Sequence, residues 1–66
     1  MDSLYLIQNV IEKGSLILFT QIFRHDKESD SDLLARAERL SKALDNTQSG
    51  FFEIFTYSEC LQTGLI

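Results

Sequence analysis

Leu4-Tyr5-Leu6-Ile7-Gln8-Asn9-Val10-Ile11 is the stretch on which the fold turns, because it fits two elements. Wound as a helix, it gathers Leu4, Leu6, Ile7, Val10 and Ile11 on one arc. Tyr5, Gln8, Asn9, Glu12 and Lys13 then lie opposite, with Ser3 as a cap and Gly14 as a stop. Extended, the same residues are apolar on both faces and rich in strand formers, and Lys13-Gly14 makes a tight turn into the next apolar run. The period favours a helix; propensity and the turn favour a strand. A strand is the better choice, since the hairpin gives the sheet three strands and two strands alone are marginal in water. An αβαβ arrangement with residues 4–13 helical is the alternative.

Outward from this stretch, Leu16–Phe23 (LILFTQIF) reads as a strand flanked by Lys13 and Arg24, charges of the kind that guard an aggregation-prone window. Leu33, Ala37, Leu40 and Leu44 recur at helical spacing, with Leu34 and Ser41 flanking and Ala35, Glu38, Arg39 and Lys42 opposite. The helix is expected to begin near Ser31, to pair Asp32 with Arg36 and Glu38 with Lys42, and to end in the turn formers Asn46–Gly50. Phe51–Tyr57 follows as a third strand, its Phe52 and Ile54 under the helix, and Gly64 marks a frayed tail. The expected fold is a small α+β domain over residues 1–66, ββαβ, with a three-stranded sheet and one amphipathic helix on one face. The first strand, apolar on both sides, suits the central position, antiparallel to the other two.

One helix covers one face. The uncovered face of a 66-residue chain therefore calls for a partner, because the lone Cys60 excludes an intrachain disulfide and His25 is the sole imidazole. The expectation is a homodimer. Leu4–Ile7 and Leu16–Phe19, the longest apolar runs, are too short for a membrane helix, and with one unpaired cysteine the expected compartment is cytoplasmic.

The formal net charge is −4, and residues 26–32 alone carry −3. Arg36, Arg39 and Lys42 make no basic face of the kind that binds nucleic acid, so direct DNA or RNA contact and membrane contact are not expected. An acidic surface is drawn instead to a basic surface on another protein.

Chemistry is thin. Asp26, Glu28, Asp30 and Asp32 alternate like the start of an EF-hand loop, but Ser31 stands where the turn needs Gly and Ala37 where the cation needs a bidentate Glu. His25 and Cys60 are the makings of a thiolate–imidazole pair but lack any accompanying oxyanion loop. No catalytic residue, metal ligand or cofactor is assigned. The residues expected to touch a partner are Asp26, Glu28 and Asp30 in the acidic loop, with Phe51, Phe55 and Tyr57, which share a strand face with Glu53 and Glu59. The expected function is that of a non-enzymatic, acidic interaction module, an inhibitor or adaptor of the sort that phage and mobile elements encode, occupying a basic surface on a nucleic-acid-handling protein. An obligate homo-oligomeric structural protein is the alternative.

Overall fold

A computed structural model describes residues 3–45 and 50–66, and in it the ambiguous stretch is a strand. β1 (Ser3–Val10) leads through a 3-10 turn at Ile11–Lys13 into β2 (Ser15–Phe23). There follow α1 (Asp30–Asp45), β3 (Phe51–Phe55) and a second helix, α2 (Tyr57–Gln62). The sheet order is β2-β1-β3, with β1 antiparallel to both neighbours. The α+β class and the central place of β1 are therefore as its two-sided apolar pattern predicts. Residues 46–49, read as turn formers, lie outside the described residues.

Register assigns each side chain to a face. On one face Leu4 stands beside Ile22, Leu6 beside Thr20 and Ile54, and Gln8 beside Ile17 and Phe52. Here Leu4, Leu6, Ile22 and Phe52 meet Leu33 and Ala37 of α1, with Leu44 and Ile54 packed alongside. On the other face Tyr5 stands beside Gln21 and Phe55, Ile7 beside Leu18 and Glu53, and Asn9 beside Leu16 and Phe51. Tyr5 and Ile7 are buried there against Cys60 of α2, with Phe55 and Leu65 packed on them. The register slips between Leu6 and Ile7, where Phe19 is the extra residue of β2. Such a bulge turns the strand by one position, and Phe19 accordingly meets Phe52 edge to face on the α1 side at 5.0 Å between ring centroids.

Three expectations are corrected. The third strand does not run to Tyr57: it stops at Phe55, because Thr56 and Glu59 form a reciprocal capping box that starts α2. Nor is Gly64 a frayed tail. The Leu65 amide donates to the Cys60 carbonyl at 2.9 Å and the Gly64 amide to that of Leu61 at 3.3 Å, a Schellman closure with Gly64 at φ +74°. That closure turns Leu65 back onto the Tyr5–Ile7–Cys60 cluster, so the second sheet face is covered at its centre from within the chain. Leu40, placed in the core by its period, is exposed, whereas Ser41 is buried. The reason lies in how α1 sits. Ser41 Oγ donates to the Phe52 carbonyl at 3.0 Å and Asp45 Oδ1 accepts from the Phe52 amide at 2.9 Å, which draws the helix toward β3. Leu40 is left partly exposed.

Candidate protein interaction surface

The acidic loop after β2 is a latch built from its own charges. His25 to Glu28 make a turn closed by the Glu28 amide donating to the His25 carbonyl at 3.0 Å, with Lys27 at φ +63°. Glu28 then accepts from Arg36 twice, Nε at 3.0 Å and Nη2 at 2.8 Å, and from the His25 amide at 2.9 Å. Hydrogen bonding from Arg36 and from that amide holds the Glu28 carboxyl down at about 2, and the same pairing raises the Arg36 guanidinium above its ordinary value. Arg24 pairs with Asp30 and donates to the Glu28 carbonyl at 2.7 Å. Ser29 Oγ accepts from the Asp32 amide at 3.1 Å and caps α1. Arg36 thus reaches back to Glu28 and to the Phe23 carbonyl, not to Asp32 as the helical spacing predicts. Of the three loop carboxylates expected to face a partner, Glu28 is largely enclosed in the latch, Asp30 pairs with Arg24 but stays exposed, and Asp26 is exposed.

The aromatic residues divide by role. Phe51 and Phe55 lie on the α2 side of β3, separated by the exposed Glu53. Phe55 packs into the Tyr5–Ile7–Cys60 cluster, and Phe51 is more than half exposed. Tyr57 is not on the strand at all; it opens α2, half exposed, with its ring 6.3 Å from that of Tyr5. Cys60 is fully buried, and burial first, then the Glu59 charge, pushes its thiol up, which disfavours the thiolate that nucleophilic chemistry needs. His25 is exposed in the latch loop, before α1. Among the described residues, no group of three His, Cys, Asp or Glu side chains is placed to hold a metal, and no helix is long and apolar enough to cross a membrane.

The longest run of consecutive exposed large apolar residues among those described is one the sequence reading did not single out as a contact. Both helices pack chiefly across β1 and β3, and α1 meets β2 only toward its end, at Ile22 and the Phe23 carbonyl. Leu16, Ile17, Leu18 and Phe19 are in consequence each about two-fifths exposed, and Phe23 is nearly two-thirds exposed. Leu16 and Leu18 look out on the α2 side, Ile17 and Phe19 on the α1 side. The signal was present in LILF, an uncharged run flanked by Lys13 and Arg24, but whether it is covered depends on where the helices sit. β2 is also an outer strand, so one line of its backbone amides and carbonyls has no neighbouring strand among the described residues. The opposite edge differs, since the Phe52 amide and carbonyl are both taken by α1 side chains. No family model matches this chain, and no curated protein or solved structure is significantly similar to it.

Proposed function

We propose that this chain is a non-enzymatic protein–protein interaction module of the inhibitor or adaptor kind, acting through β2. The observation that carries this reading is the bare Leu16–Phe19 segment, apolar on both faces and lying on an open sheet edge. Strand addition at such an edge supplies main-chain hydrogen bonds for affinity and alternate side chains for specificity. The net charge of −4, with Asp26 and Glu53 exposed, favours a partner with a basic surface; charge of this kind acts chiefly on the rate of encounter. Glu28 is drawn into the latch, whereas Asp30, Phe51 and Tyr57 remain exposed and can border that contact.

The test is a comparison. Tagged chain and its Ile17→Lys variant are purified side by side from the cells that make the protein, after circular dichroism has shown both folded. A stoichiometric protein retained by the first and lost by the second supports the reading. Equal retention by both removes β2 from the function.

A further inference from the structure

Resting on the assignment of β2 as the contact strand, we infer that in the isolated protein its occupant is a second copy of this chain, which a foreign partner must displace, paired antiparallel through β2 about a two-fold axis at Ile17. The bulge at Phe19 limits the regular part of β2 to Ser15–Phe19, whose midpoint is Ile17. A two-fold there sets Ile17 against Ile17, Leu16 against Leu18 and Ser15 against Phe19 of the other copy. Every such pair lies on one face: Leu16 and Leu18 on the α2 side, Ser15, Ile17 and Phe19 on the α1 side. Shifting the axis to Leu18 sets Leu16 against Thr20, which the bulge has turned to the opposite face. The register is therefore fixed by the bulge.

Charge and area agree with a copy as occupant. Gly14–Phe23 contains no ionisable residue, so two acidic chains meet along this strand without opposing like charges. Burying the four side chains from Leu16 to Phe19 on each copy and joining the two backbone edges removes on the order of 1,000 Å² from water, the lower limit for a specific interface. The assembly also closes. Pairing consumes both β2 edges, and the outer strands of the resulting six-stranded sheet are β3, five residues long, with the Phe52 backbone already bonded to Ser41 and Asp45. An isologous pair with blocked outer edges stops at two copies.

The full chain carrying Ile17→Cys is the first probe. Facing residues of an antiparallel pair have Cα atoms about 4.5–5.5 Å apart, within disulfide reach. Mild oxidation is expected to convert it to a covalent dimer, while Glu38→Cys, on the exposed face of α1, stays monomeric. Sedimentation at low micromolar concentration is expected to give twice the chain mass for the unmodified protein and the single mass for a folded Ile17→Lys. A folded wild-type monomer with no crosslink at Ile17 overturns the inference. If that monomer still retains a foreign protein through β2, the module reading survives and only the copy is wrong; if it retains nothing, both fall. Heterogeneous aggregates in place of a discrete dimer also overturn it, because an isologous pairing uses up its own contact edge and closes at two copies.

Discussion

Glu28 and Arg36 join the loop after β2 to the second turn of α1 by two hydrogen bonds of 2.8 and 3.0 Å, and the same guanidinium donates to the Phe23 carbonyl at the end of β2. One arginine thus fixes a strand end, a turn and a helix to one another. The Glu28 carboxyl, ordinarily near 4.5, is held at about 2 by this arrangement. A depressed folded value means stability that is fully present above the ordinary value and is lost as pH falls through the folded one, so the window runs from 4.5 down to about 2. Comparing Glu28→Gln with wild type isolates it from the other carboxylates. The gap in denaturant midpoint is expected to be constant above about pH 5, to narrow below, and to close near pH 2. A gap that stays open at the acid end would show that Glu28 acts by shape and not by charge.

Leu33 and Leu40 share a helical face by period but not by environment: Leu33 is fully buried, whereas Leu40 is 39% exposed. Leu33→Ala is expected to cost ~2–5 kcal/mol as a cavity in the α1 core. Leu40→Ala should cost about 1 kcal/mol or less, since much of its surface never leaves water. Both are measured by urea unfolding at one fixed protein concentration, because dimerisation would otherwise enter the comparison. Equal losses would mean that Leu40 is buried as fully as Leu33, contrary to its exposure here.

How much of this was legible follows from which forces are local. The two-sided apolar pattern of Leu4–Val10 and the Lys13-Gly14 turn favour a strand, and the central position best explains that pattern, but the same residues also fit a helix; the sheet order, not the sequence, decides it. Leu40 was misjudged because a helical period gives the direction of a side chain, not the lateral position of the helix, which here is set by two hydrogen bonds to β3. Arg36 was misassigned for a related reason. Its partner Glu28 is eight residues away and outside the helix, beyond the reach of the i, i+4 rule that pointed to Asp32. Thr56-x-x-Glu59 was readable as a capping box, but the strand propensity of FFEIFTY masked it, and with α2 went the cover for Tyr5 and Ile7.

That short helix depends on its two ends. Thr56 Oγ1 accepts from the Glu59 amide at 3.3 Å, and Glu59 Oε1 accepts from the Thr56 amide at 3.1 Å. Six residues make a helix too short to persist alone, so loss of the cap should be felt through the cluster it delivers. Thr56→Ala is expected to cost about 1 kcal/mol. A more telling readout is the Cys60 thiol, buried in wild type, whose alkylation under native conditions should quicken in Thr56→Ala while Ser58→Ala leaves it unchanged. If the thiol reacts no faster in Thr56→Ala, α2 is held by the Leu65 side and not by its cap.

Gly50 immediately precedes β3 at φ +89°, and a Cβ built there would lie 2.4 Å from the Asn9 carbonyl oxygen, backbone that belongs to the central strand. Two penalties coincide at this residue. A left-handed conformation is costly for any side chain, and the clash is with a carbonyl in β1 that cannot move without disturbing the pairing of Asn9 with Phe51 and Leu16. Gly50→Ala should therefore destabilise by roughly 1–3 kcal/mol. The damage is expected to be directional. Amide hydrogen exchange should rise at Phe51 and Asn9, where β3 joins the sheet, before it rises at Tyr5 and Phe55 at the other end of the same pairing. Because Ser41 and Asp45 hold Phe52 one residue further along, that contact should limit the opening to the first pair of the ladder. A uniform rise along β3 would mean that the Phe52 clamp to α1 yields together with the turn.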